Sequence, residues 1–153
     1  MSMRPAWWVV LTLLPLLSAG QTRDPINGFS ITLVRGGCLG NCPVYRVTIL
    51  GSGAVRYEGR WYVRTKDIRK RTIPVSSVQK LIQKLRDEDF YHWEEANMTC
   101  LDLPEVDITA TLQGQRKHVF EGCNEPGKIL ELADEIDTVS GAKRWIGKGR
   151  DTP

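Results

Sequence analysis

Hydrophobic and polar residues alternate along much of the first half of the chain. The alternation runs through residues 29–33, 45–49 and 55–63, and a glycine-containing turn at residues 51–53 separates the last two segments. Because successive side chains of a β-strand point to opposite faces of a sheet, each segment predicts a strand with one buried face. The short connections favour antiparallel pairing of neighbouring strands.

The third predicted strand carries a cationic outer face. Its inward positions continue through Tyr57, Gly59 and Trp61, and a β-bulge is expected at Gly59. Arginine guanidinium groups bind carboxylates and phosphates well, although a solvated face without a partner is the alternative. With one arginine of the preceding strand, the outward residues form a candidate binding face: Arg46, Arg56, Arg60, Tyr62 and Arg64.

Two segments of the second half have helical spacing. Apolar residues recur at intervals of three and four between Val78 and Leu85, which predicts a helix from about Ser77 to Glu88. A basic segment, Lys66 to Arg71, is expected to connect the third strand to this helix. A second amphipathic helix should begin near Pro126 and end before Gly141.

A second hairpin lies between the two predicted helices. Residues 106–112 alternate in character, and a turn at residues 113–115 leads into a strand near residues 117–121. This order of elements predicts a single α+β domain with its core at about residues 29–146. The expected architecture is an antiparallel sheet of about five strands with two helices packed on one face. The other face should meet water.

The first twenty residues indicate export. Arg4 precedes an apolar run from Ala6 to Leu17, and small residues follow at positions 18–20, which is the order of a secretory signal peptide at residues 1–20. The run is shorter than the roughly 20 residues that a membrane-spanning helix needs. We therefore expect residues 21–153 to be periplasmic or secreted, with no transmembrane segment. Gln21, not cysteine, follows the small residues, so no lipid anchor is expected.

Charge and motif content restrict the partners. The chain has a formal net charge of +3, and removal of Arg4 with the signal peptide would lower it by one. Basic and acidic residues are thus nearly equal in number, which does not indicate a nucleic-acid partner, and no nucleic-acid-binding motif is present. No catalytic motif is complete, so we predict no catalytic residue and no cofactor. The oligomeric state is left open.

Four cysteines in an exported chain favour two structural disulfides. The cysteines are Cys38, Cys42, Cys100 and Cys123, and four cysteines allow three pairings. Glycines around the first two would let Cys38 and Cys42 meet in a turn. Cys100 and Cys123 flank the second hairpin and would lie close at its open end. Crossed pairings are not excluded by loop-closure entropy.

Five segments together have a recognisable pattern. They are Arg35 to Tyr45 (R-x-x-C-x-G-x-C-P-x-Y), residues 53–59, Asp102 to Pro104, Ile136-Asp137 and Trp145. With these segments the chain resembles an uncharacterised family of bacterial exported domains, with a match over about residues 29–146. The resemblance implies a bacterial envelope or secreted setting and no established activity.

The C-x-x-x-C-P spacing offers an alternative function. It is similar to the motif of Sco-type copper chaperones, in which two thiolates and a distant histidine hold the metal. Here Cys38 and Cys42 would be joined by His118 or His92. Those chaperones continue into a helix, whereas Pro43 leads directly into a predicted strand. A copper-handling or thiol-redox protein is therefore the second hypothesis.

A group of acidic residues is the remaining candidate. Asp102, Glu105 and Asp107 could act in hydrolysis or bind calcium, although the spacing of a calcium loop is absent. The leading hypothesis is an exported, non-catalytic, disulfide-stabilised module that binds a protein or an acidic envelope polymer.

Overall fold

A computed structural model describes residues 26–94, 104–120 and 127–147. The predicted signal peptide lies outside these residues. No helix within them is long and apolar enough to cross a membrane. The elements are β1 (Ser30–Arg35), β2 (Val44–Leu50), β3 (Ala54–Trp61), β4 (Ile68–Thr72), α1 (Val75–Asp87), a 3-10 turn (Phe90–His92), β5 (Val106–Leu112), β6 (Gln115–Phe120), α2 (Gly127–Ser140) and α3 (Lys143–Ile146).

The strands form one sheet in the order β4-β3-β2-β1-β5-β6, and every neighbouring pair is antiparallel. The α+β class predicted from the sequence is confirmed, with six strands instead of about five. The additional strand is β4, which comes from the basic segment that we expected to be a connection. All five of its residues are exposed or half-buried at the sheet edge, so no hydrophobic alternation marks it.

The core lies between one face of the sheet and the helices. Strand side chains such as Ile31, Val47 and Ile108 are fully buried in the same cluster as the apolar stripes of α1 and α2. Each stripe repeats at intervals of three and four residues, so it lies on one side of its helix. The stripes are Val78, Leu81, Ile82 and Leu85 in α1, and Ile129, Leu132, Ala133 and Ile136 in α2.

The β2–β3 pairing contains the expected bulge. Tyr45 pairs with Gly59 and Val44 pairs with Trp61, so Arg60 is one extra residue on β3. The extra residue reverses the orientation of the residues beyond it. Trp61 is therefore 62% exposed, and our prediction that it points inward is wrong.

Gly59 is required by a close approach of the backbone. A Cβ atom at this position would collide with the carbonyl oxygen of Thr65 and lie 2.8 Å from the Tyr57 hydroxyl. Only a residue without a side chain allows the chain to fold back here. The bulge thus ends β3 and directs the chain into the loop that leads to β4.

The opposite face of the sheet is open: among the described residues, no helix covers it. Thr48, Thr32 and Thr109 lie side by side across three neighbouring central strands. The Thr32 and Thr48 hydroxyl oxygens are 3.1 Å apart and share a hydrogen bond. We call this side the open face.

Candidate functional site

The two cysteines of the β1–β2 loop form a disulfide. Cys38 and Cys42 are four residues apart in sequence, and their Cα atoms are 5.8 Å apart. The Gly40 amide donates a hydrogen bond to the Cys38 carbonyl oxygen at 2.8 Å, which closes a tight turn between them. The second pair predicted from the sequence, Cys100 and Cys123, lies outside the described residues.

A charged network lies beside this loop, between the sheet and α2. Arg35 ends β1 and pairs across the ladder with Tyr45 near the start of β2. Asp134 and Asp137 approach from α2. The Tyr45 hydroxyl donates to Asp137 Oδ2 at 2.6 Å. Arg35 Nη2 donates to Asp134 Oδ1 at 2.5 Å and to Asp137 Oδ2 at 3.3 Å.

An aromatic row holds Tyr45 in place. Its ring centroid lies 5.8 Å from that of Tyr57, and the Tyr57 centroid lies 5.2 Å from that of Trp145 in α3. The Tyr57 hydroxyl donates to the Thr65 carbonyl oxygen at 3.2 Å, and burial raises its pKa to about 12. These contacts fix the ring whose hydroxyl reaches Asp137.

The network is buried at one end and exposed at the other. Asp137 is only 4% exposed, whereas the Asp134 side chain is 70% exposed. Burial raises the pKa of the Asp137 carboxyl because its charged form loses hydrating water, while the bonds from Tyr45 and Arg35 act in the opposite direction. Burial and the neighbouring Asp137 charge also raise the pKa of Tyr45.

Two buried polar atoms of this network make no hydrogen bond within the described part of the chain. They are Arg35 Nε and Asp137 Oδ1. Leaving a buried polar atom without a partner costs about 1–3 kcal/mol, so such atoms are rare in folded proteins and call for an explanation. Perturbed ionisable groups at a concave surface are also typical of functional sites.

The network borders a cleft of about 340 Å³. Cys42 of the disulfide and Lys143 of α3 also line it, so the cleft joins the β1–β2 loop to both C-terminal helices. Its apolar wall consists of Pro43, Pro104 and Ile146. We call this site the cleft.

Sequence reasoning identified Cys42 of the cleft as a candidate but not the charged network. Asp137 gave a signal that could have revealed it. This aspartate lies one residue after Ile136 and four after Ala133, on the side of α2 that the apolar stripe buries. A charged residue at an inward helix position requires a buried partner, which here is Arg35 together with Tyr45.

Part of the candidate arginine face lies on the open face. Arg46 and Arg56 are exposed there, and Lys70 extends the set onto β4, where it pairs with Arg56. Glu58 lies opposite Arg46 and forms an ion pair with Arg56. A second depression, of about 520 Å³, contains Arg56 and Lys70 in its wall.

Exposed apolar side chains accompany these cations. Leu50, Trp61 and Ile68 all expose more than two-fifths of their surface. Leu50 borders the 520 Å³ depression, Trp61 follows the bulge, and Ile68 pairs with Glu58. We call the charged and the exposed large apolar side chains on the open face of β2, β3 and β4 the cationic half. Its members are Arg46, Leu50, Arg56, Glu58, Trp61, Ile68 and Lys70.

The bulge separates the other predicted members of the arginine face from the cationic half. Arg60 is the bulged residue, and Tyr62 lies beyond the strand with a φ of 57°. Arg64 turns toward α3: its amide donates to the Ile146 carbonyl oxygen at 2.9 Å, and its Nη1 donates to that of Arg144 at 3.3 Å. A cation at the end of α3 meets carbonyl groups that the helix leaves unpaired.

The acidic residues and histidines do not assemble with the cysteines. Asp107 Oδ2 lies 3.0 Å from His118 Nε2 on β6, and His92 Nδ1 lies 2.6 Å from Asp89 Oδ1. Glu105 is exposed ahead of β5, and Asp102 lies outside the described residues.

No group of three potential metal ligands occurs within residues 26–94, 104–120 and 127–147. The closed Cys38–Cys42 bond also leaves neither sulfur as the thiolate that copper would need.

Comparison with known proteins adds one match. The model of a family described as a domain of unknown function (DUF6438) matches residues 29–140. The matched region contains Arg35, Tyr45 and Asp137 as well as the Cys38–Cys42 disulfide. No curated protein matches the chain at a significant level.

Proposed function

Because the chain belongs to the DUF6438 family, whose function is unknown, we propose a function from its surface. The protein is an exported, non-catalytic binding module that holds an acidic polymer of the cell envelope. The polymer lies on the cationic half of the open face. The Cys38–Cys42 disulfide supports export, because such bonds persist in oxidising compartments. An exported form should begin at Gln21, which intact-mass measurement of the secreted fraction tests.

The observation that carries the proposal is the combination of exposed cations and exposed apolar side chains in one place. The cationic half contains a single carboxylate, Glu58. Three cations surround it, Arg46, Arg56 and Lys70, so the net charge of this surface is positive. A concentration of one charge sign attracts a polymer of the opposite sign. The ion pair between Arg56 and Glu58 is partly exposed, so a polymer anion can compete for the arginine.

The apolar side chains make an acidic polysaccharide the preferred partner. Trp61 is 62% exposed, and such an aromatic ring can pack against the apolar face of a sugar. The open face is built from neighbouring strands about 4.8 Å apart, and the threonine hydroxyls offer further hydrogen bonds. An extended chain with regularly spaced carboxylates fits such a surface better than a compact ligand does.

The experiment is a calorimetric titration of the mature protein with polygalacturonate, with neutral dextran as the uncharged comparison. We expect binding to polygalacturonate that weakens as salt increases, because exposed charges are screened. The double substitution Arg56→Gln with Lys70→Gln should weaken binding about tenfold, which is about 1.4 kcal/mol. Arg116→Gln with Lys117→Gln removes the same charge from β6 and is the matched control.

The two pairs of substitutions separate a local site from a general effect of charge. Equal weakening by both pairs would mean that only net charge matters, and the proposal would be wrong. Binding of dextran as tight as that of polygalacturonate would exclude recognition of the acid groups. If neither polymer binds, an acidic protein becomes the better candidate for the same surface.

A further inference from the structure

The cleft contains two cationic side chains that have hydrogen-bond donors without a partner among the described residues. Arg35 makes both of its side-chain hydrogen bonds through Nη2, which leaves Nη1 without one among the described residues. Lys143 lines the cleft and forms no ion pair within that part of the chain. A guanidinium with a donor left over and an exposed lysine without an ion pair, both at one concave surface, are suited to bind a carboxylate.

Asp134 already shows how a carboxylate sits in the cleft. Its Oδ1 lies 2.5 Å from Arg35 Nη2, although 70% of its side chain is exposed. An ion pair with one partner so exposed contributes little to stability, so it opens at low cost. Asp134 therefore occupies a carboxylate position on Arg35 that can be vacated at low cost.

Asp137 gives the cleft a rigid floor. Its side chain is more than nine-tenths buried, and it accepts hydrogen bonds from both Tyr45 and Arg35. These contacts hold the guanidinium of Arg35 in one orientation whether or not Asp134 remains bound. Preorganised groups of this kind bind a ligand without first paying for their own ordering.

We propose that the cleft binds a small molecule with one carboxylate on an apolar body. The carboxylate displaces Asp134 from Arg35 and also pairs with Lys143. The apolar body contacts the wall formed by Pro43, Pro104 and Ile146. The volume of about 340 Å³ is at the small end of the range for ligand pockets, about 300–1,000 Å³. This site is separate from the cationic half and does not depend on the function proposed for it.

The test is a nuclear magnetic resonance titration of the mature protein with acetate, hexanoate and benzoate over the millimolar range. Benzamide, which has the shape of benzoate without its charge, is the control ligand. We expect saturable shifts of the Cys42 and Gly147 amide resonances with benzoate or hexanoate. Acetate should bind more weakly because it lacks an apolar body, and benzamide should bind at least about tenfold more weakly.

Two substitutions should change the affinity in opposite directions. Lys143→Gln removes a cation that the ligand needs and should weaken benzoate binding severalfold. Asp134→Asn removes the competing carboxylate and should tighten it severalfold. Both side chains are exposed enough to be replaced without unfolding the protein, so loss of structure cannot explain a tighter complex.

Three results would overturn the proposal. One is the absence of saturable shifts at the cleft with any of the three acids. Another is equal affinity for benzoate and benzamide, which would remove the role of the carboxylate. The third is weaker binding after Asp134→Asn, because the aspartate would then be part of the binding site and not its competitor.

Discussion

The cleft and the cationic half use the same chemical groups in opposite ways. In the cleft, Arg35 meets a carboxylate that is almost completely buried. On the cationic half, Arg56 meets Glu58 where both remain accessible to water. The buried pair has lost most of its hydration, and Tyr45 donates a further hydrogen bond to Asp137 Oδ2. The exposed pair can exchange its partner for solvent or for a ligand.

This contrast separates the buried Arg35–Asp137 pair, which stabilises the fold, from exposed pairs that can exchange one partner. Removing one member of a buried pair leaves the other charge without compensation, typically at a cost of about 3–5 kcal/mol. Exposed pairs contribute about 0–1 kcal/mol. Asp134 and Asp137, three residues apart on the same helix, allow both cases to be compared on one arginine.

The largest effect should come from Asp137→Ala. This substitution leaves the buried Tyr45 hydroxyl without its acceptor and the Arg35 guanidinium with only the exposed Asp134, and we expect about 3–5 kcal/mol less stability. Asp134→Ala removes a carboxylate from the same arginine at an exposed position and should cost less than about 1 kcal/mol. Urea unfolding at neutral pH measures both. Equal losses would show that burial does not distinguish the two aspartates.

Opening the disulfide should have an intermediate effect. Replacing both Cys38 and Cys42 with serine frees a short loop in the unfolded state, and the chain-entropy model gives a loss of roughly 2 kcal/mol. The melting temperature and the urea midpoint should both fall, while polygalacturonate still binds. Loss of that binding with an unchanged melting temperature would mean that the disulfide serves the site and not the fold.

The smallest effect should be a dependence of stability on pH through Asp137. Burial raises its folded-state pKa, so the folded protein holds this proton more tightly than the unfolded chain does. Its contribution is fully present below the unfolded pKa of about 4 and is lost as the pH rises through the folded pKa. Urea unfolding of the parent and of Asp137→Asn between about pH 3 and pH 8 tests this.

The difference in unfolding free energy between the parent and Asp137→Asn isolates this group from the other carboxylates. We expect the advantage of the parent to shrink as the pH rises. An advantage that grows over the same interval would mean that the Tyr45 and Arg35 bonds outweigh burial and lower the pKa of Asp137. The direction of the change therefore decides which influence is larger.

Most of the fold could be predicted because its signals are local. Alternating hydrophobic and polar residues predicted β1, β2, β3 and β5. Apolar residues at helical intervals predicted α1 and α2. The edge strand β4 gave no such signal, since water reaches both of its faces. Trp61 was assigned to the wrong face because the exact position of a bulge depends on pairing with another strand and on the approach of Thr65 to Gly59.

The cleft could not be predicted because its parts are distant in sequence. Tyr45 and Asp137 are separated by 92 residues, and Arg35 and Asp134 by 99. Only the sheet register and the position of α2 bring them together. In the sequence, only Asp137 is recognisable as a charged residue within the apolar stripe of a predicted helix. The stripe does not indicate which residue pairs with Asp137.

The most direct measurement is resonance mapping of polygalacturonate on isotopically labelled protein that spans residues 21–153. We predict that the Trp61 indole resonance and the amides of Arg46, Arg56 and Lys70 shift together and saturate, because the polymer lies on the cationic half. The indole resonance of Trp145, a residue that packs against Tyr57 near the cleft, should not shift. Shifts confined to Trp145 and the cleft, with Trp61 unchanged, would contradict the account.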